Sequence, residues 1–379
     1  MNPVLLGAIA LGSVPTTQPS TAAHSLWTSL DRDFAALAQD AKAEKKGVEV
    51  GAYLKTSYRD SADIQVNGED ESGQKFNGAR LEFKGKVGAF ELVASIDGAN
   101  GDVETKDFYA RTKVCSGVNV KIGQYRSPFL FSGVAGDTKE IFYDRTTQGN
   151  LWSVREPGIG LDGVEGRLAW WLSLHNGGDA AGNDHLLIGK AAVALLGDVI
   201  LPKQTGNYGV DAKPAITVGV GYADDGSAAS ANDPTRHATA VSAEVVAVMG
   251  RVFFLAEAVN YDEDFVKDID NVTAGNQNSV GGGQAARASN ADVADSTPFG
   301  ATAGFMITGQ DEVAVRWENL NDSGAAHEHS TQRYWLGYTR YFEGHPAKVQ
   351  VNWIHEANQD ANGSDDTVDE AVIGLVIQI

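Results

Sequence analysis

The stretch Val118–Ser132, VNVKIGQYRSPFLFS, is the part of the chain from which the fold is read. Val118, Val120 and Ile122 alternate with Asn119, Lys121 and Gly123, the period of two expected of a half-buried strand. Arg126-Ser127-Pro128 then ends regular pairing, because proline has no amide proton to give to a neighbouring strand. No strand pattern returns until after Glu156-Pro157-Gly158. A connection this long inside a compact β-protein usually carries a function of its own. These features predict one stave of a membrane barrel, followed by a loop, 126–157, that folds into the lumen and narrows it.

The same pattern recurs on both sides of this stretch. Strands are expected at 48–58, 76–85, 89–96, 105–114, 118–125, 158–165, 167–175, 187–196, 214–222, 237–249, 251–260, 299–308, 311–320, 332–342, 347–356 and 369–379. Most are close to the roughly 9–11 residues that a tilted strand needs to cross a bilayer. Long connections (59–75, 97–104, 126–157, 176–186, 223–236, 261–298, 321–331, 357–368) alternate with short ones at Lys86–Gly88, Ser116-Gly117, Gly166, Gly250, Gly309-Gln310 and Glu343–Pro346. Long loops at one end and short turns at the other are the mark of an up-and-down barrel. Gly197–Lys213 breaks the alternation once, being too long for a short turn. The predicted fold class is all-β: a transmembrane antiparallel β-barrel of about 16 strands, with a short N-terminal helix.

Within strands, the two faces differ in chemistry. Ala79, Leu81 and Phe83 alternate with Arg80, Glu82, Lys84 and Lys86, and Ala110, Thr112 and Val114 with Tyr109, Arg111 and Lys113. Leu168, Trp170, Leu172 and Leu174 share one face of their segment, as do Val313, Val315 and Trp317 of theirs, and Ile373, Leu375 and Ile377 of the last. A strand face with several lysines and arginines needs water beside it, and in a barrel that face is the lumen. Tyr53, Tyr58, Tyr125, Tyr222, Tyr338, Tyr341 and Phe342 lie near strand ends, as residues of an interfacial girdle would.

Composition removes several classes. No run approaches the roughly 18–20 apolar residues of a spanning helix, which excludes a helical membrane protein and leaves a barrel open. The net charge of −20 argues against a nucleic-acid partner, which requires a basic face. Much of the acid lies in long loops, at Glu69-Asp70-Glu71, Asp224-Asp225, Asp262-Glu263-Asp264 and Asp365-Asp366. With Cys115 as the single cysteine, no intrachain disulfide can form.

The first residues read differently. Residues 1–23 suit a signal peptide, with an apolar Val4–Val14 and Thr21-Ala22-Ala23 before a cleavage point. Residues 24–47 suit a periplasmic helix. Trp27, Leu30, Phe34, Leu37 and Ala41 fall on one face, Ser25 is placed to cap it, and Lys42, Lys45 and Lys46 suit its C-terminal end. A helix this short needs a partner to be stable in water. A short oligomeric coiled coil, docking at the barrel mouth and a frayed amphipathic segment all remain open.

The candidate functional residues are cations of the first half: Arg80, Lys84, Lys86, Arg111, Lys113, Lys121, Arg126 and Arg145. On neighbouring staves they would form a positive track, and fixed cations in a narrow pore attract anions. Arginine in particular offers phosphate two parallel hydrogen bonds. The competing reading is a wide pore with a mixed wall, to which Glu82, Asp162 and Glu318 would contribute. His327-Glu328-His329 has no further assignable ligand, so no metal site is expected. The chain carries no nucleophile elbow, P-loop, zinc-protease or dinucleotide motif. Accordingly no catalytic residue and no cofactor is expected, and the chain does not read as an enzyme.

Six stretches in order resemble the phosphate-selective porin family of bacterial outer membranes: NGARLEFKGKVGAFELVASID (77–97), KDFYARTKV (106–114), VKIGQYRSPFLFS (120–132), IFYDRT (141–146), REPGIGLDG (155–163) and LHNGG (174–178). The resemblance implies a trimeric sixteen-stranded barrel in the outer membrane, in contact with its lipid. It also implies a third loop folded inward and passive passage of small anions such as phosphate along basic residues. By motif position, Lys121 and Arg126 would stand at the base of that loop and Arg145 within it, with Arg80, Lys84, Arg111 and Lys113 pointing inward on neighbouring staves. The alternative function is a structural outer-membrane barrel that anchors a layer of the cell envelope. A soluble all-β binding protein is the third reading.

Overall fold

The computed structural model describes residues 47–61, 65–66, 69–70, 72–99, 103–153, 155–176, 185–209, 213–225, 238–261, 297–320, 330–359 and 365–379. The expected signal peptide, nearly all of the expected N-terminal helix, and His327–His329 lie outside the described residues.

Among the described residues the strands are β1 (Glu49–Ser61), the two-residue pair β2 (Gln65–Val66) and β3 (Glu69–Asp70), β4 (Gly73–Val87), β5 (Phe90–Asp97), β6 (Glu104–Cys115), β7 (Val118–Arg126), β8 (Arg155–Glu165) and β9 (Leu168–His175). They continue as β10 (Leu186–Leu196), β11 (Ala215–Asp225), β12 (Ala238–Met249), β13 (Val252–Tyr261), β14 (Phe299–Met306), β15 (Asp311–Asn319), β16 (Ser330–Tyr341), β17 (Ala347–Gln359) and β18 (Asp365–Gln378). Apart from β2 and β3, which pair with each other, they form one closed barrel of sixteen strands, each antiparallel to the next. β1 closes the barrel on β18, with Tyr53 opposite Gln378 and Ser61 opposite Glu370. Closure leaves no sheet edge unpaired, the condition for a sheet to cross a bilayer.

Each of the sixteen segments expected from alternation contains a barrel strand. The short turns hold because glycine tolerates a left-handed backbone: Gly166 has φ +58° and Gly250 φ +60°.

The alternation also sorts the faces as read. Leu172, Val193, Val220, Leu336, Trp353 and Ile373 are exposed on the outside of the wall, on strands spread round the barrel. Such a belt suits lipid and would be a liability in water. Tyr58, Tyr222, Tyr338 and Phe342 are exposed with it. Tyr53, Tyr125 and Tyr341 are corrections to the girdle expectation, because they face inward. Tyr53 lies under the Arg80 guanidinium, Tyr125 beside Lys121, and Tyr341 against Tyr208, fully buried. They share strand parity with Lys55, Lys121 and Arg333, all inward residues.

Candidate functional site

The loop between β7 and β8 is embedded in the inner wall. Its aromatic and aliphatic residues Phe129, Leu130, Phe131, Ile141, Phe142, Tyr143 and Trp152 are at most 1% exposed. Phe129 and Trp152 pack on Leu186, Ile188, Val259 and Tyr261, while Phe131 packs on Val246, Val248, Phe253 and Leu255. Ile141, Phe142 and Tyr143 pack on Ala314, Trp335, Ile354 and Val372. Burying each such side chain contributes about 1.5–3 kcal/mol, so the loop is held as firmly as a core element.

Three wall glycines make this possible. Ile141 rests on Gly304, Phe142 on Gly337 and Tyr143 on Gly374, and at each a β-carbon would overlap the loop side chain. Glycine inside a strand marks a close approach of this kind.

The loop backbone is satisfied by polar groups of the wall. Lys348 Nζ donates to Glu140 O at 2.5 Å, Lys55 Nζ to Tyr143 O at 2.5 Å, and Arg316 to Asp144 O at 3.0 Å. In the other direction, Glu244 accepts from Phe131 N at 3.0 Å, Glu257 from Ser132 N at 2.9 Å and Glu318 from Thr147 N at 2.6 Å. Backbone groups taken out of water require such partners. Two short helices, Phe131–Val134 and Thr147–Leu151, sit in this frame, the second capped by the Thr146 hydroxyl, which accepts from Gly149 N at 2.9 Å.

Asp137 is the electrostatic hub of the loop. Arg80 and Arg155 lie 2.9 and 3.6 Å from its Oδ2, and Arg145 lies 2.6 Å from its Oδ1, with which Arg126 also pairs. Glu140 takes a second pair from Arg145 at 2.6 Å, and Asp107 pairs with Arg155 at 3.0 Å. Burial alone would raise the Asp137 carboxyl. Arg126, Arg145, Arg155 and Arg80 outweigh it and hold the group well below the usual carboxylate range.

The expected cations therefore separate into two groups. Arg80, Arg126 and Arg145 converge on Asp137. Arg126 also donates to Ala135 O at 2.7 Å, and Arg145 to Ser132 O. Lys84, Arg111, Lys113 and Lys121 stand elsewhere, on the part of β4, β6 and β7 nearer the short turns. Lys84 is exposed, 3.1 Å from Glu82, and Lys113 is exposed. Arg111 pairs with Asp162 at 2.6 Å, and the Lys121 ammonium lies over the Tyr109 and Tyr125 rings at 4.9 and 4.7 Å. Asp137, Arg155, Lys55 and Lys348 were not singled out from sequence. Inward parity could have found Lys55 and Lys348, but an acid within a loop gives no such signal.

A second segment enters from the opposite end. Residues 198–209, between β10 and β11, fill the place where a short turn was expected. Gly136 N donates to Lys203 O at 3.3 Å, Thr205 N to Lys139 O at 3.2 Å, and Ile141 N to the Thr205 hydroxyl at 3.0 Å. Asn207 N donates to Glu312 at 2.8 Å and its amide to Gly250 O at 2.6 Å, while Tyr208 stacks on Tyr341 with centroids 4.1 Å apart. The segment is long because it reaches the loop inside the barrel.

No family model matches the chain, and no curated protein matches it. Solved structures do match its fold. The loop L8 deletion mutant of OmpT, an outer membrane protein of Vibrio cholerae, gives a TM-score of 0.56 at 11% identity, covering 88% of this chain and 99% of that one. The outer membrane channel DcaP of Acinetobacter baumannii gives 0.53 at 11% identity, over 88% and 97%. The anion-selective porin from Comamonas acidovorans gives 0.53 at 10% identity, over 88% and 99%. The likeness is one of fold. With the apolar belt, it makes the chain a transmembrane β-barrel of porin architecture.

Proposed function

We propose that the chain is a passive outer-membrane porin for small hydrophilic solutes, with a preference for anions, phosphate among them. The observation that carries this reading is the uneven inner wall. Along β10–β18 most inward side chains lie buried, many of them against the two segments, with Arg333, Glu356 and Glu370 half-buried. On the part of β4–β7 nearer the short turns, Glu82, Lys84, Lys86, Glu91, Arg111, Lys113 and Lys121 remain wholly or partly exposed. That arc supplies five cations against two acids, with Asp162 beside Arg111. A locally basic passage in an acidic protein favours anions near the wall. A homotrimer is part of the proposal. The resemblance implies it, and the Vibrio cholerae protein is solved in a trimer form.

The test is the reversal potential of the purified protein in a planar bilayer under a KCl gradient, repeated with phosphate. Anion-directed reversal with phosphate block supports the reading. Cation-directed reversal without block removes the anion preference.

A second reading draws on the fullness of the lumen. With two segments inside it, the barrel suits a structural role in which acidic loops or the N-terminal residues anchor an envelope layer. Removal of 24–47 would then weaken envelope attachment, and correctly folded protein would give no channels.

A further inference from the structure

We propose that segment 198–209 is a stopper that closes the lumen from the short-turn end, and that acid releases it through His345. The proposal rests on the channel reading above.

The two segments inside the barrel are held by different forces. The loop after β7 buries seven large side chains almost completely, so its removal would expose a core. Segment 198–209 is held mainly by hydrogen bonds, from Lys203, Thr205 and Asn207, and by the stacked ring of Tyr208, with Ile200 packed against the cluster of Phe131, Val246, Val248, Phe253 and Leu255. Hydrogen bonds of this kind can be exchanged for water at modest cost, whereas buried aromatic area cannot. Of the two, 198–209 is the segment that can leave.

His345, in the turn between β16 and β17, is the contact that senses pH. Its Nε2 lies 3.2 Å from Gln204 Oε1, and its ring meets Tyr208 and Tyr341 edge-on at 5.5 and 5.6 Å. Gln204 in turn donates to Tyr208 O at 2.9 Å, so the imidazole touches the segment at two points. The charged and titratable groups around it come from every neighbouring element. Lys139 is on the loop, Lys348 on β17, Tyr341 on β16 and Tyr208 on the segment itself, and Lys348 is in turn faced by Glu140 of the loop and Glu312 of β15. Glu312 is engaged by Asn207 N and the Tyr341 hydroxyl, and Glu140 by Arg145, which leaves Lys348 and Lys139 to dominate.

Burial first, then Lys348 and Lys139, push the imidazole down to about 3 from its usual 6.5. A histidine lowered in the docked state is neutral there and takes a proton more readily once released. Docking is therefore fully favoured above about pH 6.5 and weakens as pH falls toward 3. The protonated ring would add a third cation beside the two lysines, and water would accept it more readily than the docked site does.

The test uses the full chain in planar bilayers and, separately, amide hydrogen exchange corrected for intrinsic rate. Wild-type conductance should rise several-fold between pH 7 and pH 4, and His345→Gln should remain at the neutral-pH level. A variant with 199–208 replaced by a short Gly-Ser turn should conduct at the acid level throughout. In exchange, Thr205 and Asn207 amides should lose protection on acidification in the wild type and keep it in His345→Gln. Protection retained to pH 4, or an equal acid response in His345→Gln, overturns the latch. Release without current, in wild type and shortened variant alike, overturns the channel reading and the stopper with it.

Discussion

Arg126 on β7 and Arg155 on β8 stand directly opposite each other in the antiparallel register. Opposed like charges destabilise a strand pair, and neither guanidinium has enough solvent around it to be well screened. Asp137 resolves the conflict by accepting from Arg126 while lying 3.6 Å from Arg155. Arg80 and Arg145 use the same carboxylate. The loop is thus tied to the wall by one acid that serves as counter-ion to four bases. Asp137→Asn should cost about 3–5 kcal/mol, the usual loss when one partner of a buried pair is removed. Heat-modifiable gel mobility should report a lower transition temperature, and the reversal potential should move toward anions. Unchanged thermal behaviour would mean the arginines find other partners.

The same carboxylate sets an acid limit for the loop. Its ionisation is held well below the usual range, so the stability it contributes is present above the ordinary carboxyl value near 3.8 and is lost only as pH falls through the lowered one. Hydrogen exchange should therefore show the Phe131–Val134 helix protected from pH 7 down to about pH 4. Segment 198–209 loosens over this interval if His345 acts as proposed. Loss of helix protection above pH 5 would disconnect Asp137 from the loop's stability.

Tyr143 against Gly374 gives a steric test free of charge effects. A β-carbon at Gly374 would overlap the ring. The ring is also held by its hydroxyl, which donates to Asn77 at 2.9 Å, and by its amide, which donates to Asn352 at 2.8 Å. Gly374→Ala should cost about 1–3 kcal/mol, as overpacking of a core does, and should shift the loop. Single-channel conductance should change with it. An alanine variant with wild-type conductance and stability would show that the wall bends more easily than the loop moves.

The strands were legible because alternation over eight to fifteen residues is a strong signal, and here one face meets lipid and the other polar groups. The loop was legible from Pro128 and from the missing strand pattern after it. Nearness to a strand end suggests the girdle for Tyr53, Tyr125 and Tyr341, but parity with Lys55, Lys121 and Arg333 sends them inward. The charge hub was not legible. Asp137, Arg80, Arg126, Arg145 and Arg155 span 76 positions of sequence (155 minus 80, counted inclusively), and only closure of the loop brings them together. Segment 198–209 registered only as a turn that was too long, since its partners Gly250, Glu312 and Tyr341 are remote in sequence.

The division of the cations yields the sharpest functional prediction. Lys84, Arg111, Lys113 and Lys121 stand on the arc that keeps partial exposure, whereas Arg126 and Arg145 are committed to Asp137 and to loop carbonyls. A charge with a buried counter-ion projects little field into a passage, while an exposed one acts over about a Debye length, roughly 8 Å at physiological salt and 3 Å at 1 M. Replacing the four arc residues with glutamine should therefore move the reversal potential away from anions at low salt, with the difference fading in 1 M KCl. Stability should change little, because exposed pairs such as Lys84 with Glu82 contribute about 0–1 kcal/mol. Arg126→Gln and Arg145→Gln should do the reverse, lowering the thermal transition while shifting selectivity less. If the two arginine variants change selectivity more than the four arc substitutions together, the solute path runs past the Asp137 hub rather than along β4–β7.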